Sequence, residues 1–239
     1  KLSASQRRNF EKELGSDCEL QAWQYLATPI VDFTSKYEPE DRAVTKQEAL
    51  NMSGLDAGAF SEMGKLAVLG GWAVRVLVEK MGLQLWDLKW EFARDGEDLV
   101  FVDTIDTDSF RATSILNDGN DRFVVHYNKQ AMRDYYRIAH ADWLAAVDDA
   151  KNDARADGVP FVEILRARQA SGAVPEDPQV DSDFLAVQVE KMNLIKDCIL
   201  GHRDGADVAQ ALEDCGQREV AFYTRGNWRD ALREINGIG

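Results

Sequence analysis

Two runs rich in β-branched, aromatic and aliphatic residues, at positions 83–93 and 99–105, are separated by a short charged segment with Asp95-Gly96 at its centre. Asp-Gly between two apolar runs is the strongest short-range signal for a β-hairpin, because glycine accepts the positive φ that a tight turn needs. The fold of this chain must therefore accommodate an antiparallel pair of strands at this point.

Charged and apolar residues alternate along the first strand of the predicted hairpin. Side chains at every second position of a strand project to the same face, so Asp87, Lys89 and Glu91 would share a charged face opposite an apolar one. The returning strand would bring Asp103 beside that charged row. The sequence therefore predicts carboxylates and a lysine in one place.

This charged row has two interpretations. One is a solvated strand face with a cross-strand ion pair, which contributes little to stability. The other is a binding site, because Mg²⁺ takes one or two carboxylates and leaves its remaining positions to water and phosphate. The strict alternation, the bulky apolar neighbours and the continuation of the acidic run into Asp106 and Asp108 favour the second interpretation.

Helical periodicity dominates the rest of the chain. Thr45 followed by Glu48 is a capping-box pattern for a short helix that ends near Gly54. Residues 21–36 have the composition of extended chain, and residues 113–122 that of a polar loop. Further amphipathic patterns predict helices over residues 4–14, 57–81, 128–157, 160–169, 182–200, 206–214 and 218–235.

Composition excludes several classes of protein. A formal charge of −14 would repel a phosphate backbone, so nucleic acid is not an expected partner. No apolar stretch approaches the roughly 18 residues that a membrane helix needs, and residues 1–10 lack an apolar signal region, so we expect a cytoplasmic protein. The cysteines, Cys18, Cys198 and Cys215, have unrelated spacings and are predicted to be free thiols.

Four segments, in order, resemble motifs of the SAICAR synthetase family of purine biosynthesis. Residues 86–92 (WDLKWEF) are similar to a family strand of the form V-D-F/M-K-x-E-F, and residues 102–111 (VDTIDTDSFR) to the following A-D-x-I-x-x-D-S-x-R segment. Upstream, residues 29–36 (PIVDFTSK) resemble a P-x-V-E-F-x-x-K strand, with Asp41 near the aspartate that follows it. Downstream, residues 128–134 (NKQAMRD) resemble a D/S-K-Q/D-x-x-R-D helix start.

The resemblance implies a fold of the α+β class. An antiparallel β-sheet flanked by helices would resemble SAICAR synthetase and the C-terminal portion of ATP-grasp proteins, followed by a mainly helical C-terminal extension. Residues 1–159 would form the catalytic portion and residues 160–239 the extension.

The resemblance also implies roles for individual residues. Glu91 and Asp103 would hold the magnesium ions that bridge ATP phosphates. Lys89 and Asp87 would act in catalysis, with the lysine neutralising phosphate charge in the transition state. Arg111 would bind the 5′-phosphate of a ribonucleotide through two parallel hydrogen bonds. The substrate-binding residues would be Asp41, Ser109, Arg111, Lys129 and Arg133.

The implied reaction joins the carboxylate of carboxyaminoimidazole ribonucleotide (CAIR) to the amine of L-aspartate through an acyl phosphate made with ATP. Positioning and charge neutralisation suffice for such chemistry, so no nucleophilic side chain is needed. His126, His140 and His202 show no ligand spacing and are interpreted as non-catalytic. Mg²⁺ is the expected cofactor, and ATP, CAIR and L-aspartate are the expected small-molecule partners.

The sequence departs from the family pattern because it lacks the Gly-Lys-x-Lys turn of the N-terminal nucleotide-binding lobe. Three explanations stay open: a segment outside the given sequence, a split enzyme with that lobe on a second chain, or loss of catalysis in a non-catalytic subunit. A fourth hypothesis is another Mg-ATP-dependent phosphotransferase. The helical extension is interpreted as an element that binds a second copy of the chain or another partner.

Overall fold

Within its described part the chain has the predicted α+β fold, with antiparallel sheets flanked by helices and a helical C-terminal region. The computed structural model describes Arg8, Glu11 and residues 23–26, 29–36 and 42–238. The predicted helix at 4–14, apart from those two residues, lies outside the described residues. The predicted site residue Asp41 and the cysteine Cys18 also lie outside them.

The described strands form one four-stranded sheet of order β3-β6-β7-β8 and two two-stranded sheets, β1-β2 and β4-β5. The strands are β1 (Phe33–Thr34), β2 (Ala43–Val44), β3 (Gln84–Leu88), β4 (Glu91–Asp95), β5 (Asp98–Val102), β6 (Phe110–Asp118), β7 (Asp121–His126) and β8 (Gly237–Ile238). The helices are α1 (Lys46–Ser53), α2 (Ala57–Lys80), α3 (Lys129–Ala139), α4 (Ala141–Asp157), α5 (Phe161–Ala170), α6 (Ser182–Ile199), α7 (Gly205–Arg225) and α8 (Arg229–Asn236).

The chain divides into two compact units. Unit 1 comprises Lys1–Ala73 and Trp90–Asp103, and unit 2 comprises Val74–Lys89 and Thr104–Gly239. The two-stranded sheet β4-β5 belongs to unit 1 and the four-stranded sheet to unit 2. The helices after residue 160 lie in unit 2 with that sheet, and the predicted domain boundary at 159/160 stays a prediction.

The hairpin predicted around Asp-Gly is confirmed in unit 1. β4 pairs with β5 on either side of Gly96, which has a φ of 62°. The ring centroids of Trp90, directly before β4, and Phe101, in β5, lie 4.7 Å apart. Both rings pack on helix α2 at Gly70, where an added Cβ would lie 2.9 Å from Trp90 and 3.1 Å from Phe101. The Nε1 of Trp90 donates a hydrogen bond to the carbonyl oxygen of Ala67 at 3.0 Å. A polar contact as well as apolar packing therefore fixes the hairpin on the helix.

The prediction of one continuous strand over residues 83–93 was wrong. β3 ends at Leu88 and pairs with β6, whereas β4 begins at Glu91 and pairs with β5. The alternation of charged and apolar residues continues through the break, so the sequence pattern conceals it. Asp87 and Lys89 therefore belong to unit 2 and Glu91 to unit 1, rather than to one strand face.

The polar loop predicted at residues 113–122 was also wrong, because β6 and β7 form a second hairpin there. Gly119, with a φ of 66°, opens the turn between them. Thr113 is 1% exposed. Its hydroxyl accepts a hydrogen bond from Nε1 of Trp86 at 2.6 Å. Thr113 is therefore satisfied inside the sheet, and the polarity of this segment does not mark a loop.

The helices follow the predicted periodicity with shifted bounds. The capping box of α1 is confirmed, because Oγ1 of Thr45 accepts a hydrogen bond from the N–H of Glu48 at 3.2 Å and Gly54 ends the helix with a φ of 67°. The helix predicted over 128–157 is split into α3 and α4, since His140 leaves the helical region with φ −136° and ψ 42°. Among the described helices, none combines the length with the apolar character that a bilayer crossing needs.

A glycine allows α7 to pack closely on the four-stranded sheet. The break predicted between residues 214 and 218 is absent, and α7 is continuous there. A Cβ added to Gly216 would lie 2.8 Å from both Cδ1 of Leu116 and the hydroxyl oxygen of Tyr127. That hydroxyl is fixed in place, because it donates to the carbonyl oxygen of Leu212 at 2.9 Å.

Gly216→Ala is expected to lower the free energy of unfolding by up to about 2 kcal/mol, because overpacking costs about 1–3 kcal/mol and the gain in helix propensity offsets about 1 kcal/mol. Gly64→Ala in α2 is the matched control. Nothing lies within 4 Å of a Cβ at Gly64, so the variant should gain up to about 1 kcal/mol. Urea unfolding measures both, and a stabilised Gly216 variant would contradict the close packing.

The C-terminal residues complete the sheet of unit 2. β8 pairs with β7 through Gly237 and Ile238. Helix α8 is attached to the β6–β7 turn by Arg233 and Arg229, both of which donate to the carboxylate of Asp121. These two guanidinium groups hold the pKa of Asp121 below its usual range. The end of the helical region is therefore part of the same structure as the sheet.

Candidate functional site

In unit 1, the two predicted metal-binding residues are neighbours in the hairpin. Glu91 opens β4 and pairs in register with Val102, and Asp103 directly follows Val102. The side chain of Glu91 is 17% exposed and forms an ion pair with Lys36, which belongs to the 29–36 motif. The hairpin therefore places both carboxylates at the end opposite its turn.

The backbone of Asp103 adopts an uncommon conformation. Its φ is 77°, in the left-handed region, which costs a non-glycine residue of order 1–3 kcal/mol. Aspartate and asparagine tolerate this region better than most residues. Conformations of this kind are concentrated at functional sites, where surrounding structure maintains them.

Glu91 and Asp103 fit the donor set that magnesium needs beside phosphates. Such a site uses one or two carboxylates, and water and substrate oxygens fill the rest of the coordination sphere. Among the described residues there is no group of three or more His, Cys, Asp or Glu side chains arranged for a metal, and a magnesium-phosphate site does not require one. The assignment of these two residues as metal ligands stays a prediction.

In unit 2, Asp87 and Arg111 face each other across β3 and β6. They are partners in the strand register. The Nε of Arg111 donates to Oδ1 of Asp87 at 2.8 Å, and its Nη2 donates to Oδ2. This bidentate bond raises the pKa of the Arg111 guanidinium. A cross-strand ion pair thus exists, as in the first interpretation of the charged row, but its cation is a predicted substrate-binding residue.

The predicted catalytic residue Lys89 lies beside the predicted substrate residue Ser109. The backbone N–H of Lys89 donates to the carbonyl oxygen of Ser109 at 2.8 Å. The hydroxyl of Ser109 donates to the carbonyl oxygen of Asp106 and accepts from its N–H, each at 2.9 Å. Ser109 therefore closes the loop before β6, a structural task that the sequence motif does not reveal.

A pocket of about 210 Å³ opens in unit 2 beside this loop. Two of its walls come from the motif segments, the loop before β6 and the first turn of α3. The third comes from α6, in the helical C-terminal region. The lining residues are Thr107, Asp108, Asn128, Lys129, Met132, Gln188 and Met192.

Of the predicted substrate residues that the structure describes, Lys129 lines this pocket. Its Nζ lies 3.2 Å from Oδ1 of Asp108. Asn128 caps the helix, because its Oδ1 accepts from the N–H of Gln130 at 3.0 Å and its Nδ2 donates to the carbonyl oxygen of Phe110 at 3.0 Å. The cap thereby ties the start of α3 to β6. Arg133, one turn later, is exposed and does not line the pocket.

Two pocket residues, Gln188 and Met192, come from a helix to which sequence reasoning assigned no site. The hydroxyl of Thr107 lies 3.1 Å from Sδ of Met192 and ties the loop to α6. No local motif marks these positions, since they reach the pocket only through the tertiary fold. Helical spacing of four residues does place both on one face of α6.

A buried polar network lies behind the pocket. Lys191 is 0% exposed and donates to the carboxylate of Glu219 at 2.5 Å and to the carbonyl oxygen of His126 at 3.0 Å. Burial lowers the pKa of His126, although the carboxylate of Asp134, 3.6 Å from Nε2, opposes that shift. The imidazole is therefore neutral near pH 7.

Fold and site together define an α+β protein with a small pocket lined by one acidic and one basic side chain, Asp108 and Lys129, among its described residues. The family model described as SAICAR synthetase matches residues 6–149 of the chain. This span is more than half of the sequence and includes all four motif segments. The chain therefore belongs to the SAICAR synthetase family.

The chain matches part of the length of each of two curated relatives. It is 34% identical to a putative phosphoribosylaminoimidazole-succinocarboxamide synthase of Archaeoglobus fulgidus, over 56% of this chain and 38% of that protein. The synthase of Thermoplasma volcanium is 33% identical, over 58% and 46% respectively. The crystal structure of SAICAR synthetase from Pyrococcus horikoshii OT3 aligns with 69% of this chain and 61% of that chain, at 19% identity and a TM-score of 0.40. The matches span less than half the length of these two curated relatives.

Proposed function

We propose that this chain is the part of an ATP-dependent carbon-nitrogen ligase that carries the predicted magnesium and ribonucleotide residues. The reaction is amide formation between the carboxylate of CAIR and the amine of L-aspartate. The match of the family model over residues 6–149, which contains each predicted site residue, carries the proposal. The names of the curated relatives, phosphoribosylaminoimidazole-succinocarboxamide synthases, support it.

The proposed reaction has two steps. A carboxylate oxygen of CAIR attacks the γ-phosphorus of ATP, the bond from that phosphorus to the bridging oxygen breaks, and ADP leaves. The amine nitrogen of aspartate then attacks the acyl carbon and loses a proton, and inorganic phosphate leaves. Both steps redistribute negative charge on phosphate oxygens, so the protein contributes mainly positioning and charge neutralisation.

The residues of unit 1 suit the magnesium-binding task. Glu91 and Asp103 would hold Mg²⁺, which when bound neutralises charge on the ATP phosphates. Lys36 lies within ion-pair reach of Glu91 and keeps its carboxylate in place. Lys89, a predicted catalytic residue of unit 2, would neutralise phosphate charge in the transition state.

The residues of unit 2 suit an anionic ribonucleotide. The N-terminus of α3 carries a partial positive charge, and Lys129, which is ion-paired with Asp108, places a cation beside the pocket. Asp87 occupies Nε and one Nη of Arg111 and leaves its other N–H groups available for a phosphate. Asp87 would therefore position the guanidinium, and Arg111 would bind the substrate.

A direct assay tests the proposal. The natural polypeptide that contains residues 1–239 is incubated with ATP, Mg²⁺, CAIR and L-aspartate, and products are followed by mass spectrometry. We expect succinocarboxamide ribonucleotide, ADP and phosphate in equal amounts, and no amide product when aspartate is omitted. Absence of the amide, even when the nucleotide-binding lobe is supplied on a second chain, would refute the ligase proposal, and ADP formed with a different acceptor would favour a phosphotransferase.

Arg111→Lys should weaken binding of CAIR about tenfold or more, because a charge-assisted hydrogen bond contributes about 1.5–3 kcal/mol and lysine cannot reproduce the planar fork of arginine. Arg122→Lys, at an exposed position of β7, is the control and should bind normally. Isothermal titration with CAIR measures both variants. Equal affinity of the Arg111 variant and the unsubstituted protein would remove this residue from the phosphate site.

A further inference from the structure

Gln188, a pocket residue on α6, has an unusually fixed side chain for a glutamine. It is 7% exposed. Its Nε2 donates to a carboxylate oxygen of Glu219 at 2.5 Å. A carboxylate only accepts hydrogen bonds, so the amide nitrogen must face Glu219 and the amide cannot flip without losing this bond.

A second contact holds the acceptor of that bond. The same carboxylate oxygen of Glu219 accepts from the fully buried Lys191 at 2.5 Å. Lys191 is itself anchored on the carbonyl oxygen of His126 at 3.0 Å. The side chain of Gln188 is therefore bonded to a buried ion pair. Moving Glu219 or Lys191 would leave a buried charge without its partner, so the network holds Gln188 in place.

The amide oxygen of Gln188, Oε1, is the end of the side chain that can bind a ligand. Among the described residues, no side chain or backbone group donates to Oε1 of Gln188, and this oxygen is not sealed from solvent. Gln188 lines the pocket, so a ligand in the pocket can reach this nearly buried side chain. The fixed carbonyl oxygen is thus a hydrogen-bond acceptor at the α6 wall of a pocket that Lys129 also lines.

We infer that Gln188 is a specificity-determining residue that accepts a hydrogen bond from a neutral donor on the ribonucleotide, while Glu219 and Lys191 act as its positioning residues. This inference rests on the proposed function, since CAIR is the ligand considered. CAIR offers two sources of such a donor, its exocyclic amine and its ribose hydroxyls. An acceptor in a nearly buried site rejects ligands that leave it without a partner.

Binding of CAIR to Gln188→Met tests the inference. Methionine has a similar length and removes the acceptor, and Glu219 keeps Lys191 as its partner. The dissociation constant should rise about three- to tenfold. Val189→Ala, at an adjacent and 52% exposed position, should leave it unchanged. Calorimetric titration gives the constants, and thermal unfolding confirms that both variants are folded.

Two analogues separate a direct contact from a general disturbance of the pocket. One lacks the exocyclic amine and the other lacks the 2′- and 3′-hydroxyls. The analogue without the contacted donor should bind the unsubstituted protein and Gln188→Met equally, whereas the other analogue should still show the loss. An equal loss for CAIR and both analogues, or no loss for CAIR, would overturn the inference. If the unsubstituted protein itself binds no CAIR, the proposed function fails first, and the inference falls with it.

Discussion

Glu91→Gln should reduce the rate of amide formation by roughly a hundredfold or more, with little effect on folding. A bound metal stabilises the transition state by several kcal/mol, and each 1.36 kcal/mol is about a factor of ten in rate. The neutral amide keeps the size of the side chain and loses the charge that magnesium needs. The lost ion pair with Lys36 has limited effect on stability, because the lysine side chain is 52% exposed.

Glu97→Gln is the matched control for this experiment. It removes one carboxylate from the exposed turn of the same hairpin and should retain full activity. Asp103→Asn gives an independent check, because asparagine also tolerates the φ of 77° at this position. It should show a loss similar to that of Glu91→Gln. Normal turnover in either variant would exclude that residue as a ligand of the catalytic metal.

Lys191→Met should lower the free energy of unfolding by about 3–5 kcal/mol, since it removes one partner of a buried ion pair and leaves Glu219 without its counter-charge. The change also removes the bond to the carbonyl oxygen of His126 and a cation–π contact with Tyr127, whose ring centroid lies 4.6 Å from Nζ. Urea unfolding at pH 7 measures the loss.

Lys196→Met on the same helix is the control for Lys191. Its side chain is 57% exposed, so the expected change is within about 0.5 kcal/mol. The double variant Lys191→Met, Glu219→Gln removes both charges and should recover part of the stability lost in the single variant. A Lys191 variant as stable as the Lys196 variant would show that the buried pair does not support the fold.

Local patterns in the sequence predict those features that local physics controls. Asp95-Gly96 predicts the hairpin because a positive φ is needed there, and Thr45 with Glu48 predicts the start of α1 because the cap is made within one turn. The break after Leu88 could not be predicted in this way. The break depends on which distant strand each half of the segment pairs with. The first half, β3, pairs with β6, whereas the second half, β4, pairs with β5.

The candidate site shows the same division between local and distant causes. The motif segments identify Lys129, and the structure places it in the pocket. Arg111 is also a motif residue, but its bidentate contact with Asp87 depends on the register between β3 and β6. That register could not be predicted, because residues 113–122 were wrongly predicted to be a loop. Gln188 has no signal in the sequence, because an amide on an amphipathic helix shows its role only when its partners from other elements are known.

The contact between Thr107 and Met192 joins positions 85 residues apart at one wall of the pocket. A molecule bound there touches both a loop of the motif region and the long helix α6, so it binds only when the two are assembled. By mass action, ligand at a hundredfold excess over its dissociation constant adds about 2.7 kcal/mol to the free energy of opening that wall. Substrate occupancy would therefore protect the C-terminal helices from local unfolding and from proteases, and the supply of substrate would influence how long the protein survives.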